Sequence, residues 1–134
     1  MALAPDEVDL LLQRFAVHPW NTGDIESLDA VVADGYVLHP DLTLDDLKQA
    51  VRSTRLGLPD LTVSIEETVA QADRIAYRWT MRGTHQGGMD GMAPTGRSVV
   101  FTGITILRVQ DGKVIEDRYE SSSPSLEQQV QDGG

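Results

Sequence analysis

The chain of 134 residues contains no cysteine. Disulfide bonds, thiolate metal sites and cysteine nucleophiles are therefore excluded, and the composition fits a cytosolic protein. Histidine is scarce as well, since only His18, His39 and His85 are present, and their spacing matches no local metal-binding motif. We therefore expect no metal site.

Basic residues are few relative to acidic ones. Eleven Lys and Arg stand against 21 Asp and Glu, which gives a net charge of −10, and the basic residues form no cluster. Such a surface repels phosphate backbones and anionic lipids, so nucleic acid and membranes are disfavoured as partners. No apolar run approaches the ~20 residues of a membrane span, and the acidic N-terminus is not typical of a secretory signal. We expect a cytoplasmic protein.

The patterns that are present indicate one globular domain covering residues 1–134. Apolar residues recur at helical spacing over 5–17, and the segment "HPWNTGD" is predicted to break that helix. A second short helix is predicted through "IESLDAVVA", ending at Gly35, followed by an extended piece, "YVLHPD". A third helix is predicted over 43–56, because Thr43 and Asp46 have the spacing of a capping box.

After Leu61 the pattern changes from helical to alternating. Four segments alternate in polarity and are rich in β-branched residues: "LTVSIEETVAQ", "DRIAYRWTMRGTHQG", "SVVFTGITILRVQ" and "VIEDRYESS". The intervening "DGK" is typical of a hairpin turn, and "SLEQQVQ" predicts a short closing helix. Helices followed by consecutive strands predict an α+β domain with helices on one face of a strongly curved antiparallel sheet.

Four short motifs occur in order along this framework. They are "WNTGD" (20–24), "RWTMRGTHQG" (78–87), "GMAPTGRSVVFTGI" (91–104) and "DGKVIEDR" (111–118). Together they resemble the SnoaL-like polyketide cyclase family, also called ester cyclases, of the nuclear transport factor 2-like superfamily. The resemblance extends over roughly residues 8–130.

This resemblance implies a cone-shaped pocket between the helices and the concave face of the sheet, and chemistry that needs no cofactor. In members of the family an aspartate on the last strand removes a proton next to a carbonyl, and the enolate closes a ring by aldol attack. The family also implies a homodimer formed through the sheets. The substrate implied is a mostly apolar small molecule.

The sequence departs from the family pattern at two catalytic positions. Six residues after Lys113, where the family has its working aspartate, this chain has Tyr119. Three residues before Arg108, where the family often has a histidine, it has Thr105. The family's mechanism therefore does not transfer unchanged.

Side chains alternate along a strand, so neighbours on the last strand point to opposite faces. With an unbroken register, Ile115, Asp117, Tyr119 and Ser121 share one face, and Glu116, Arg118 and Glu120 share the other. We predict that Asp117 and Tyr119 face the pocket as catalytic groups, although a one-residue bulge would exchange the two sets. The alternative is that Asp117 bonds a backbone group or an inward arginine and Tyr119 only packs.

The remaining site predictions concern the pocket wall and two histidines. His85, before a glycine-rich loop, and His39, before Pro40, are candidate acid–base groups; the alternatives are a solvated loop histidine and a turn-stabilising one. Gly103 marks a bend or space for a ligand. The residues predicted to contact substrate are Tyr36, Trp79, Met81, Met89, Met92, Phe101 and Thr105.

Three functions remain open from the sequence. The first is a cofactor-free cyclase or isomerase that acts on a polyketide-like substrate by general acid–base catalysis. The second is an epoxide-opening enzyme of the same fold. The third is a non-catalytic ligand-binding or dimerisation module, which the missing carboxylate at position 119 favours.

Overall fold

The computed structural model describes residues 3–87, 93–121 and 124–132. Five strands and four α-helices, with one π-helical and one 3₁₀ segment, make up these ranges. In chain order they are α1 (Pro5–Leu12), the π-helical segment (Gln13–Val17), α2 (His18–Thr22), the 3₁₀ segment (Ile25–Ala30), β1 (Val32–Leu38), α3 (Leu44–Gly57), β2 (Thr62–Gln71), β3 (Arg74–Thr84), β4 (Ser98–Gln110), β5 (Lys113–Ser121) and α4 (Leu126–Asp132). Of these helices, none is long and apolar enough to cross a membrane.

The predicted first helix is present and extends further than expected. The predicted break at "HPWNTGD" is wrong, because His18–Thr22 is still helical. Pro19 lies in the first turn of this short helix, where a missing N–H costs nothing. The helical run ends instead at Gly23, whose φ of +81° is open to glycine without strain.

The predicted second helix is wrong in its second half. Only Ile25–Ala30 is helical, as a 3₁₀ turn, and β1 begins at Val32. Gly35 lies inside this strand with φ +83°, and does not end a helix. Around it the pairing of β1 shifts register between Val32 and Val37. Tertiary pairing with β5 therefore overrides the local helical pattern.

The third helix confirms its predicted start. The Thr43 side chain accepts from the Asp46 backbone N–H at 3.3 Å, and the Asp46 carboxylate accepts from the Thr43 backbone N–H at 2.8 Å. These reciprocal bonds supply acceptors to N–H groups at the start of the helix, which have no partner within the helix itself.

The sheet has the strand order β1-β5-β4-β3-β2. The four later strands pair antiparallel as predicted, through three consecutive ladders. The expectation of a wholly antiparallel sheet is wrong for β1, which pairs parallel with β5 and comes from before Leu61. The result is an α+β fold with helices packed on a curved, mixed sheet.

Two apolar clusters join the helices to the sheet. The larger one packs Val8, Leu12 and Phe15 of the first helical run against Ile75 and Leu107 of the sheet. The smaller one, at the other end, packs Leu126 and Val130 of α4 against Leu58, Leu61 and Val99. Phe15 of the larger cluster and Phe101, which packs against the smaller one, both line the cavity that forms the candidate site.

Helix α4, predicted from "SLEQQVQ", also completes the start of β4. Among the described residues, the ladder between β4 and β5 ends at the pair of Gly103 with Ser121, three residues after Val100. The side-chain amide of Gln129 accepts from the Val100 N–H at 2.6 Å and donates to its C=O at 2.7 Å. A side chain thus takes the place of a neighbouring strand.

Replacing the helix cap Thr43→Ala is expected to lower the free energy of unfolding by about 0.5–2 kcal/mol, because an N–H of the first turn loses its acceptor. Urea denaturation measures the change. Thr43→Ser, which keeps the hydroxyl, is the matched control and should stay close to the parent protein. Equal losses in both variants would contradict the capping role.

Candidate active site

A cavity of about 340 Å³ opens between the concave face of the sheet and the helices. Its wall is mostly apolar and aromatic, and its polar groups come chiefly from β4 and β5. The residues that line it are Phe15, Ala16, Trp20, Leu38, Leu47, Ala50, Thr54, Val63, Tyr77, Trp79, Met81, Phe101, Thr105, Asp117, Tyr119 and Ser121. An apolar wall with a few polar groups is the usual form of a small-molecule site.

The antiparallel register sets the polar groups in rows across β3, β4 and β5. Tyr77, Thr105 and Tyr119 are paired in one row. Asp117 stands opposite Leu107 in the adjacent row, two residues before Tyr119. Because the side-chain period of a strand is two, these groups share the concave face.

A bulge in β5 comes just before the site. Arg108 pairs with Glu116, but Val109 pairs with Val114, so Ile115 is the extra residue. Val114, and not Ile115, is therefore the buried residue of this stretch, which corrects the predicted set. The bulge precedes Asp117, so the inward orientation predicted for Asp117 and Tyr119 holds.

The carboxylate of Asp117 is the one charged group among the described residues that line the cavity. Its side chain is only 5 % exposed. Burial raises the pKa of Asp117 to about 6, while a hydrogen bond from Tyr36 and the nearby His39 oppose that rise. A carboxyl group with such a pKa changes protonation state close to neutral pH, which suits general acid–base chemistry.

Tyr36 lies behind the cavity and not in its wall, in contrast to the prediction that it contacts substrate. Its hydroxyl donates to Asp117 Oδ2 at 2.7 Å. Burial, followed by the charge of Asp117, raises the pKa of the Tyr36 phenol far above its ordinary value, so the phenol remains a donor. Burial and Asp117 also raise the pKa of Tyr77, which a hydrogen bond with Thr105 partly offsets.

Tyr119 stands at the rim of the cavity, since it belongs to the lining and is nevertheless 58 % exposed. Thr105, opposite it on β4, accepts a hydrogen bond from the indole Nε1 of Trp79 at 2.9 Å. Trp79 and Thr105 are both in the wall, as predicted, and this bond fixes the indole there.

The space beside Gly103 is occupied by neighbouring residues of the protein and is not open to a ligand. A Cβ atom built at this residue would come within 2.3 Å of the Trp79 ring and within 2.6 Å of the Glu120 carbonyl oxygen. The space expected for a ligand is therefore filled by the indole that forms the cavity wall.

His39 does not line the cavity. Leu38 and Asp117 are register partners with side chains in the cavity wall, so the next residue, His39, points to the other face. There its Nε2 lies 3.0 Å from Glu116 Oε1. Glu116 also accepts from Arg108 at 3.0 Å, and these two partners lower its pKa, Arg108 first.

His85 is fully buried outside the cavity. Its Nδ1 lies 2.9 Å from the Thr95 hydroxyl, and its backbone N–H and C=O bond Arg97 and Gly96. His85 therefore holds the two sides of the glycine-rich loop together. The structure does not bring it, or His39, to the carboxylate.

The predicted wall residues Met81 and Phe101 do line the cavity. Met89 and Met92 lie outside the described residues. The sequence analysis missed the helical side of the wall, which is formed by Phe15, Ala16, Trp20, Leu47, Ala50 and Thr54. Their helical spacing was the available signal, but it does not distinguish a cavity wall from a filled core. Within the described ranges, no group of three His, Asp or Glu is placed to hold a metal ion.

The buried carboxylate is expected to weaken the fold at neutral pH. Below about pH 4, Asp117 is protonated in both the folded and unfolded states, so its burial costs little. Between its ordinary pKa of 3.8 and its folded pKa of about 6, the unfolded state releases the proton first, so stability falls as pH rises. Asp117→Asn should therefore raise the free energy of unfolding at pH 7, by on the order of 2–3 kcal/mol.

Denaturation of parent and variant between pH 4 and pH 7 measures this difference, which should shrink toward pH 4. Glu120→Gln is the matched control, because Glu120 is an exposed carboxylate on the same strand. A difference between Asp117→Asn and parent that does not change with pH would contradict the burial penalty.

Three solved structures illustrate the likeness of this fold to known proteins. AclR from Streptomyces galilaeus, a candidate hydroxylase, is 26 % identical with a TM-score of 0.85 over 96 % of this chain and 83 % of its own. A candidate polyketide cyclase from Bacillus cereus is 27 % identical with a TM-score of 0.79, over 96 % of this chain and 85 % of its own. IdmH from Streptomyces antibioticus, also a candidate polyketide cyclase, is 25 % identical with a TM-score of 0.79, over 93 % of this chain and 98 % of its own.

None of the curated proteins matches this sequence. The sequence pattern of the SnoaL-like polyketide cyclases, however, matches residues 10–130, nearly the full length of the domain. With the fold, the cavity and this match in agreement, the chain belongs to the SnoaL-like polyketide cyclase family.

Proposed function

We propose that this protein is a cofactor-free cyclase that acts on a polyketide-like, mostly apolar small molecule, with Asp117 as the general base. The observation that carries the proposal is a buried carboxylate with a pKa raised to about 6, the one charged group among the described residues that line a mostly apolar and aromatic cavity. Membership of the family supports cyclisation as the reaction class.

In this reaction Asp117 removes a proton from the carbon next to a carbonyl group of the substrate. The resulting enolate carbon forms a bond to a second carbonyl carbon of the same molecule, whose oxygen becomes an alkoxide. The alkoxide then takes a proton from the protonated Asp117, which restores the base. Protons and electrons balance in this sequence without any further reactant.

Tyr119 is proposed to donate a hydrogen bond to the enolate oxygen. It lies two residues from Asp117 on the same face of β5, and its exposed position at the rim leaves the hydroxyl accessible to a bound substrate. Hydrogen-bond donors aimed at a developing oxyanion lower the barrier of such a step. The phenol at the family's aspartate position would then assist the reaction while the carboxylate acts from the adjacent row.

Asp117→Asn keeps the shape of the side chain and removes the titrating group, so turnover should fall by ~10²–10⁴. The assay follows ring closure of a polyketide that carries two carbonyl groups by liquid chromatography, because the cyclised product is an isomer of the substrate with the same mass. Uptake of deuterium from D₂O at the carbon next to the carbonyl, measured by mass spectrometry, reports the proton removal. Glu120→Gln, on the other face of the strand, should behave like the parent protein.

Loss of activity in Glu120→Gln with retention in Asp117→Asn would contradict the proposed base. Opening of an added epoxide without any proton exchange would favour the epoxide-opening alternative. Tight binding of the polyketide with no turnover would favour the binding module.

We further propose that two copies associate through the outer faces of their sheets. On β4, Val100, Ile104 and Ile106 are 40 %, 51 % and 43 % exposed on that face, an apolar row that sequence analysis missed. Charged residues of both signs flank the row, with Arg78 and Glu120 paired in register on either side of Ile104. A two-fold axis brings such a surface against itself, so that apolar groups are covered and opposite charges meet.

The parent protein should sediment as a dimer at micromolar concentration, and Ile104→Glu should sediment as a monomer, because it would bury a charge in the interface. Leu56→Glu is the control: Leu56 is 72 % exposed on α3, away from the sheet. A parent protein that sediments only as a monomer would rule out the dimer, and a dimeric Ile104→Glu variant would place the interface elsewhere.

A further inference from the structure

The contact between Tyr36 and Asp117 joins a residue outside the cavity to the group inside it. Tyr36 is 6 % exposed and belongs to the apolar core beneath the sheet. The edge of its ring packs against Phe15, with the ring centres 6.4 Å apart and the planes at 67°. Phe15 itself lines the cavity, so the Tyr36 ring is held behind the wall and cannot reach a substrate directly.

The hydrogen bond from Tyr36 gives the two oxygens of the Asp117 carboxylate different surroundings. Asp117 Oδ2 accepts from the Tyr36 hydroxyl at 2.7 Å, a distance typical of a charge-assisted O–H···O⁻ bond. The side chain still forms part of the cavity surface, so the other oxygen, Oδ1, is the one left for a substrate proton.

We propose that Tyr36 is a positioning residue, which holds Oδ2 so that Oδ1 faces the cavity and keeps Asp117 ionised as a base; this inference rests on the proposed function of Asp117. The phenol cannot itself serve as the base, because burial and the adjacent carboxylate keep it protonated. Its contribution is made through Asp117 alone.

Three groups lie near Asp117. Burial favours the neutral acid, whereas two of these groups favour the ionised carboxylate: Tyr36 of β1 through its hydrogen bond, and His39, which follows β1 and points to the other face of the sheet, through a longer-range electrostatic effect. The third, Tyr77 of β3, is as deeply buried as Tyr36, but its hydrogen bond is with Thr105. Removal of the Tyr36 hydroxyl takes away the hydrogen bond that offsets the effect of burial, so the pKa of Asp117 should rise. Removal of the Tyr77 hydroxyl should change the pKa of Asp117 much less.

The contact can be tested without a substrate. The ¹³C resonance of the Asp117 carboxyl group is titrated by NMR in the parent protein, in Tyr36→Phe and in Tyr77→Phe. The midpoint should lie near pH 6 in the parent and move upward by about one pH unit or more in Tyr36→Phe, as expected for loss of a hydrogen bond to a charged group. Tyr77→Phe should stay close to the parent.

A second variant covers the case in which Tyr36→Phe does not fold. Incorporation of 3,5-difluorotyrosine at residue 36 keeps the hydroxyl and makes it a stronger donor, so the midpoint for Asp117 should move downward. An unchanged midpoint in whichever of these variants folds would overturn the proposal.

Kinetics separates positioning from general packing. In Tyr36→Phe the acid limb of kcat/KM should move to higher pH by the same amount as the NMR midpoint, and the plateau should fall several-fold because the carboxylate is no longer fixed. A uniform loss of kcat/KM with no shift of the limb would mean that Tyr36 only packs. An NMR shift in a protein whose turnover survives Asp117→Asn would instead overturn the proposed function and leave the contact intact.

Discussion

The buried carboxylate of Asp117 is the constraint around which the rest of the site is built. An ionised group in an apolar cavity is costly, because water solvates the charge better than an apolar wall does. The structure compensates in part with one strong donor, the Tyr36 hydroxyl, and leaves the pKa raised to about 6. Additional hydrogen-bond donors to the carboxylate would make the fold more stable, but they would also lower the pKa of Asp117 and so move its titration away from neutral pH.

The sheet supplies the precision that this arrangement needs. Two long antiparallel ladders, β3 with β4 and β4 with β5, set Tyr77, Thr105 and Tyr119 in one row, and the unbroken alternation of β5 after the bulge at Ile115 keeps Asp117 on the same face. Tyr36 reaches Asp117 from β1, which joins the sheet in the parallel direction beside β5. The edge strand that departs from the antiparallel pattern is therefore the strand that carries the partner of the carboxylate.

The two faces of β5 carry different kinds of electrostatics. On the concave face, Asp117 has a phenol as its hydrogen-bond partner. On the outer face, Glu116 meets His39 and Arg108, which lower its pKa in a partly exposed setting. One residue along the strand thus separates a carboxyl group whose pKa is raised from one whose pKa is lowered, because burial dominates on one face and charge pairing on the other.

The sequence by itself determined the local elements whose causes are local. The alternation of β3 and β4, the "DGK" turn, the cap of α3 and the inward orientation of Asp117 and Tyr119 all follow from side-chain period, turn chemistry and hydrogen bonding within a few residues. It also contained the resemblance to the SnoaL-like polyketide cyclases, which the match of that family over residues 10–130 confirms. Only the tertiary structure decided the rest: strand β1 in place of a helix end, the bulge at Ile115, the indole that fills the space at Gly103, and the removal of His39 and His85 from the site. Each of these depends on a partner distant along the chain, as Tyr36 and Asp117 are, and no local pattern records which distant residue a side chain will meet.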